Sequence, residues 1–343
     1  MLIIDKIIYD FLATKRLPYP RTIMVDPVNL CQLECPLCST GKRSLNYDRK
    51  VMSLETFKNV LDKTPFVKKI ELFKNGEPFL NPDILAMVRC ARDRNIETVI
   101  STNFSFSKPD VFFEEIIESG LGKLIVSLDG ASQETYSQYR RGGNFDLVIH
   151  NIKKLGEAKK KYHVSKPKIV WQFLVNKFNE HEIAIAQRMS RDLLVTLDLQ
   201  PMGLADDLPD VEAEETIQAR KSQWLPQNKN FINECYQGEY SYPLFRGICT
   251  QLFTRLIVTV DGKVLPCCWA EDRGSIFGDL LIDDIDDVWY NQKFLDARTR
   301  FLKENFSPEN RSICFSCNNY GVTLSLKYKL NLVKTVLCGL YPN

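Results

Sequence analysis

Three cysteines crowd into eight residues near the start of a 343-residue chain: Cys31, Cys35 and Cys38, in the run Asn29-Leu30-Cys31-Gln32-Leu33-Glu34-Cys35-Pro36-Leu37-Cys38. With three and then two intervening residues, their thiolates can wrap a cube-shaped iron–sulfur cluster while supplying one ligand too few, which leaves one iron open to a chelating substrate or cofactor. A zinc site would more often assemble two ligand pairs from separated segments and close its shell. A second set, Cys249, Cys267, Cys268, Cys314 and Cys317, falls in the last hundred residues. Two metal sites are therefore the first inference. Cys90, Cys235 and Cys338 stand alone and read first as buried thiols.

Compartment and charge narrow the classes. No apolar stretch approaches the roughly 20 residues that span a bilayer, and the N-terminus lacks the order of a signal peptide, so a cytoplasmic location is expected. In a reducing cytoplasm the eleven cysteines are not a disulfide framework. Lys plus Arg number 45 against 43 for Asp plus Glu, a formal charge of +2. With no long basic run, a dedicated nucleic-acid binder is disfavoured. Composition that is 44% hydrophobic and 26% charged excludes a disordered or fibrous chain.

The elements that must position the first triplet alternate between short β-rich runs and longer amphipathic ones. Strands are expected at Thr22 to Val25, Lys69 to Phe73, Glu97 to Ser101, Lys123 to Ser127, Lys168 to Val175 and Leu194 to Gln200. Helices are expected after Ser53 as an N-cap, then at Asp83 to Arg94, Asp110 to Ser119, Phe145 to Tyr162 and Glu182 to Ser190. Such α/β order, through right-handed crossovers, predicts a parallel sheet closed into a partial (βα)6 TIM-like barrel, with chemistry at the C-terminal strand ends. The expected domains are an N-terminal helix (1–20), the barrel (21–203), an acidic linker or lid (204–246), a cluster-binding module (247–320) and a C-terminal helix (321–343). In the module, Arg255 to Val260 and Lys263 to Leu265 flank an Asp261-Gly262 turn as a hairpin, and one helix runs from Ile285 to Leu302. The apolar stripe Leu2 to Leu12 and the mixed segment Leu324 to Leu340 are expected to dock on the barrel, with a membrane surface as the alternative.

At the cysteine triplet the sequence resembles the radical S-adenosylmethionine superfamily, whose hallmark is a CxxxCxxC loop after the first strand of a partial barrel. The resemblance implies that the open iron binds S-adenosylmethionine and that the reduced cluster splits it into methionine and a hydrogen-abstracting 5′-deoxyadenosyl radical. It also implies an external electron donor such as flavodoxin or ferredoxin. Further motifs fall in order: Asn75-Gly76-Glu77-Pro78 is similar to the family's Gly-Gly-Glu run, Gly76 letting backbone approach the ligand and Glu77 meeting the methionine ammonium. Asn103, in Ser101-Thr102-Asn103, is the expected polar contact after the third strand. Ser127, in Ser127-Leu128-Asp129-Gly130, resembles a ribose ligand, and Arg140 resembles the arginine that pairs with the methionine carboxylate. The sequence departs from the family pattern at Asn75, and at Leu37, where an aromatic residue is usual.

Gly262, four residues and Cys267 resemble the opening of the SPASM or twitch extension of the same superfamily, and Cys314-Phe315-Ser316-Cys317 its closing pair. On that resemblance Cys249, Cys267, Cys314 and Cys317 hold an auxiliary, saturated 4Fe-4S cluster in the shorter, single-cluster form; a four-cysteine zinc ribbon is the alternative on spacing alone. Cys268 reads as a substitute ligand, a buried thiol or, like Cys235, a hydrogen-atom donor. The expected activity is oxidation of a small sugar, aminocyclitol or other polyol. The alternatives are epimerisation with a cysteine donor, modification of a peptide or protein, and a non-catalytic two-cluster electron carrier.

Overall fold

The computed structural model describes residues 17–43, 48–204, 214–232, 251–270, 275–299 and 314. Its chain runs β1 (Thr22–Val25), α1 (Ser39–Lys42), α2 (Leu54–Lys63), β2 (Lys69–Leu72), α3 (Ile84–Arg92), β3 (Glu97–Thr102), α4 (Asp110–Ser119), β4 (Lys123–Ser127), α5 (Gln133–Tyr139), α6 (Phe145–Lys161), β5 (Lys168–Val175), α7 (Ile183–Asp192) and β6 (Thr196–Pro201). It continues through α8 (Glu214–Trp224), α9 (Gln251–Thr254), β7 (Arg255–Val258), β8 (Lys263–Leu265), β9 (Gly278–Asp279), α10 (Ile285–Trp289) and α11 (Gln292–Thr299).

Period-two alternation sorts the strand residues by face. Ile23, Val25, Ile70, Leu72, Ile100, Leu124, Val126, Trp171 and Phe173 are buried in the large core beneath the helices. The intervening Met24, Glu71, Ser101, Ser127 and Gln172 therefore point to the opposite face, the barrel interior. Helices start where side chains can satisfy their first amides: Ser53 accepts from the Thr56 N–H and Asn144 from that of Leu147.

The sheet order is β6-β5-β4-β3-β2-β1-β7-β8-β9, so the first six strands form the expected parallel half-barrel. β7 adds in parallel to the free edge of β1, pairing Thr22 with Arg255 and Val25 with Val258. β8 returns antiparallel, Ile257 opposite Leu265, through a turn in which Gly262 has φ +77°. The cysteine-bearing hairpin is thus continuous with the barrel sheet.

The differences from expectation include two boundaries and one added helix. The sixth strand begins at Thr196, because Leu194 adopts φ 57° as the chain leaves α7. The helix expected from Ile285 is broken at Asn291, whose side chain caps α11 by accepting from the Phe294 N–H. Helix α5 was not expected, although Ser132 caps it by accepting from Thr135. Both expected terminal helices, Leu2 to Leu12 and Leu324 to Leu340, lie outside the described residues, as does 205–213 of the acidic stretch.

Candidate functional site

The triplet loop leaves β1 and is pinned from several sides. Asn29 accepts from the Lys50 N–H at 2.6 Å and donates to the Asp48 carbonyl at 2.9 Å, tying the loop to the segment before α2. The Glu77 N–H donates to the Leu30 carbonyl at 2.7 Å, and Thr40 donates to the Asn75 carbonyl. The Glu34 N–H donates to the Arg141 carbonyl at 3.0 Å. Loops after β1, β2 and β4 are thereby locked together at the C-terminal end of the barrel.

Around the sulfurs stand N–H donors. The Leu33 N–H lies 3.4 Å from the Cys31 sulfur and Asn103 Nδ2 3.6 Å from it, while Arg140 Nη1 lies 4.0 Å from the Cys35 sulfur. Burial pushes the Cys31 thiol up to about 12 and also raises Cys35, which Arg140 opposes. Soft sulfur donors on one short loop, ringed by N–H groups and a guanidinium, suit an anionic iron–sulfur cluster.

Each expected cofactor residue has a definite setting. A Cβ on Gly76 would lie 2.0 Å from the Val28 carbonyl oxygen and 2.6 Å from that of Leu30, so the backbone this glycine admits is that of the triplet loop itself. Glu77 is 1% exposed and accepts from Thr102 Oγ1 at 2.7 Å, the Asn103 N–H at 2.7 Å and the Phe79 N–H at 3.1 Å. Burial pushes its carboxyl up to about 7 against those three bonds. Asn103 exchanges amide bonds with Gln32, at 2.9 and 3.3 Å. Ser127 is buried at the end of β4, with no hydrogen-bond partner for its hydroxyl among the described residues. Arg140, just past α5, is paired with the wholly buried Asp129, Nε to Oδ2 at 2.6 Å.

Trp224 was not anticipated. It is buried at the end of α8, packing with Leu33, Cys35, Leu37, Met202 and Leu204 around the triplet. Its ring meets Tyr139 edge-on at 5.6 Å and Phe178 at 5.3 Å. These aromatic rings stand near Leu37, the position where the family pattern has its own. The only sequence signal was a lone tryptophan in an otherwise polar stretch.

On the hairpin side, half-buried Cys267 and Cys268 join Met24, Phe73, Ile257, Leu265, Ala270 and Ile276 in a cluster at the barrel interior. Burial raises the Cys268 thiol, opposed by the charges of Arg255 and Lys74. Trp269 reaches across toward the β6 end, where a Cβ on Gly203 would lie 3.8 Å from its ring. Cys314 is buried in the main core. Cys249, Cys317, Cys235 and Cys338 lie outside the described residues. Cys90, away from both sets, packs half-buried against the core and accepts from Arg94. Between the end of β1, residues 48–50, the loop after β2 and the hairpin opens a cavity of about 370 Å³ whose charged walls include Asp26, Lys50, Lys74, Asp261 and Lys263; no described cysteine lines it.

Two family models match this chain: the radical SAM superfamily over residues 25–175, and SPASM, an iron–sulfur cluster-binding domain, over residues 249–318. A probable GTP 3′,8-cyclase from Methanocaldococcus jannaschii is 25% identical over 265 residues, covering 74% of this chain and 86% of the relative. Two solved structures share the fold. Streptococcus suis SuiB bound to S-adenosylmethionine aligns with TM-score 0.62 at 16% identity, over 88% of this chain and 72% of that one. AdoMet-bound anSMEcpe aligns with TM-score 0.60 at 15% identity, over 93% and 92%.

Proposed function

The chain belongs to the radical S-adenosylmethionine superfamily and carries a C-terminal auxiliary cluster domain, and on that footing we propose that it is an oxidoreductase that dehydrogenates a small polar substrate. In this reading Cys31, Cys35 and Cys38 hold the first 4Fe-4S cluster, and Cys249, Cys267, Cys314 and Cys317 hold the second. When bound, the cofactors supply a hydrogen-abstracting radical and an acceptor for the substrate's second electron.

The protein's part is to bind, orient and exclude. Gly76 and Glu77 fix the triplet loop, while Asn103, the Ser127 hydroxyl and the Arg140 guanidinium would hold S-adenosylmethionine. The observation that supports the substrate class is the cavity: its charged and polar walls come from the end of β1, the segment before α2, the loop after β2 and the hairpin. Lys50 and Asp261 already approach to 3.6 Å across it. Walls of this kind suit a polyol or amino-polyol better than an apolar chain. The archaeal relative is likewise named for a reaction of a small molecule, GTP, although SuiB has also been solved with a precursor peptide.

A second reading, epimerisation, is favoured by one feature. Cys268 lies in the interior cluster with its thiol raised, so it holds a transferable hydrogen at neutral pH.

Anaerobic incubation with reductant and S-adenosylmethionine, assayed for 5′-deoxyadenosine, tests the class without knowledge of the substrate. Replacing Cys31, Cys35 and Cys38 together by Ala should abolish that product while leaving the second cluster in place. Turnover in deuterated water then separates the outcomes. Oxidation gives a product two mass units lighter with no deuterium at the reacting carbon. Stoichiometric deuterium there, lost in Cys268→Ala while 5′-deoxyadenosine still forms, would make the enzyme an epimerase.

A further inference from the structure

Two side-chain amides meet beside the triplet loop, and backbone groups fix which way each one points. The Ser105 N–H can only donate, so the Asn103 atom 2.9 Å from it is Oδ1. The Ser105 carbonyl can only accept, so the Gln32 atom 3.2 Å from it is Nε2. With both amides so oriented, Gln32 Nε2 donates to Asn103 Oδ1 at 2.9 Å. Asn103 Nδ2 then turns back toward Gln32 Oε1 at 3.3 Å and the Cys31 sulfur at 3.6 Å. The first cysteine of the triplet is thus met by an N–H from the loop after β3.

That loop is itself held. Glu77 accepts from the Asn103 N–H at 2.7 Å, and Ser105 Oγ accepts from the Asn144 N–H at 2.8 Å. Asn151, buried on α6, donates to the carbonyls of Phe104 and Phe106 at 2.9 and 2.8 Å. Phe104 adopts φ 53°, a left-handed conformation uncommon outside glycine. It stands between Asn103 and Ser105, where the chain folds back so that the Ser105 N–H reaches the side chain two residues before it. Asn103 is buried, whereas Gln32 is exposed. The donor is preset inside the protein, and the residue that aims it reaches in from the surface. The Leu33 N–H approaches the same sulfur at 3.4 Å. A cluster-bound thiolate keeps lone pairs that accept such bonds, and each bond favours the state with more negative charge on sulfur.

We propose that the Gln32–Asn103 amide pair sets the reduction potential of the first cluster: Asn103 donates an N–H···S bond to Cys31, and Gln32 is the positioning residue that aims it. The bond stabilises the reduced, more negative cluster over the oxidised one and so raises the potential. This task is separate from the contact with S-adenosylmethionine expected of Asn103. It rests on the reading of Cys31, Cys35 and Cys38 as the ligands of the first cluster and not on the identity of the substrate.

The test uses the full-length chain reconstituted with iron and sulfide, without S-adenosylmethionine, so that no cofactor contact enters. The variant with Cys31, Cys35 and Cys38 replaced by Ala supplies the auxiliary cluster's signal by itself, which is subtracted. Undiminished iron in that variant overturns the ligand reading on which the proposal rests. Wild type, Asn103→Leu, Gln32→Met and the double variant are then compared in dithionite titrations followed by electron paramagnetic resonance. At a fixed applied potential the ratio of reduced to oxidised first cluster should fall at least threefold in Asn103→Leu, about 28 mV for a one-electron couple at 59 mV per tenfold. Gln32→Met should lower the ratio by a smaller factor, and should lower it no further in the Asn103→Leu background, as expected of a residue that acts through the other. Proton hyperfine spectra of the reduced cluster, before and after exchange into deuterated water, should show one exchangeable coupling fewer in Asn103→Leu than in the wild type. Gln32 is exposed, so its variant tests the proposal even if Asn103→Leu does not take up iron. Should folded, iron-loaded variants titrate with the wild type and keep every exchangeable coupling, the amide pair is only a tie between two loops and the proposal is wrong. Equal falls from Gln32→Met in both backgrounds would remove its positioning role.

Discussion

Arg140 and Asp129 form a 2.6 Å ion pair whose carboxylate is wholly buried and whose other oxygen accepts from the Leu174 N–H at 2.7 Å. Burial alone raises the Asp129 carboxyl, and Arg140 is the largest influence opposing it. The residue expected from sequence to hold cofactor therefore also has a folding task. Arg140→Ala should destabilise the apo protein by about 3–5 kcal/mol in urea, because it strands a buried charge. Asp129→Asn in the same chain should return at least half of that loss. A fall in S-adenosylmethionine affinity that the double variant does not repair would separate the binding task from the folding one.

Glu77 makes apo stability depend on pH. Its folded carboxyl titrates near 7 against an ordinary 4.5. Between those values the folded chain keeps a proton that the unfolded chain has released, so stability falls as pH rises across that window. Below about 4.5 the penalty is absent, and above about 7 it is complete, on the order of 3 kcal/mol. Urea midpoints of the wild type and Glu77→Gln, measured from pH 4.5 to 8, should diverge in that direction. Parallel curves would show that the three donors hold the carboxylate ionised throughout.

Gly76→Ala should break the seat of the triplet loop, since no backbone can yield to a Cβ placed 2.0 Å from the Val28 carbonyl. Reconstituted iron is expected to drop from about eight per chain to about four, one cluster of two. Asn75→Gly, at a residue whose side chain accepts from Lys74, should keep both clusters. Full iron loading of Gly76→Ala would mean that the loop can move away at little cost.

Trp224→Ala removes the ring that joins Tyr139, Phe178 and the triplet loop. A cavity of that size costs about 3–5 kcal/mol. Unfolding by urea should register the loss, and chelator should strip the first cluster faster while the auxiliary cluster keeps its rate. Equal acceleration at both clusters would place the effect in global stability.

The strands and the triplet could be read from the sequence because both signals are local. The β-rich run Thr22 to Val25 announces a strand within four residues, and ligand spacing is set by the covalent chain. The distant partnerships could not be read this way. Trp224 sits on a helix with no apolar stripe to announce a buried face, and its partners Tyr139, at the end of α5, and Phe178, after β5, are distant in sequence. Gly76 was read as room for a ligand, whereas its neighbour is the backbone of Val28 and Leu30, a contact that exists only once β1 and β2 lie side by side.

The parallel pairing of β7 with β1 has a consequence for any attempt to divide the protein. A fragment ending at Leu204 would keep every strand of the half-barrel yet expose the backbone amides and carbonyls of Thr22 to Val25 that β7 now occupies. An open, apolar strand edge recruits other chains. That edge belongs to the strand from which the triplet loop departs, so aggregation would begin beside the chemistry. The two halves of the sequence are in this sense a single cooperative object, and the hairpin acts as the barrel's own guard against self-association.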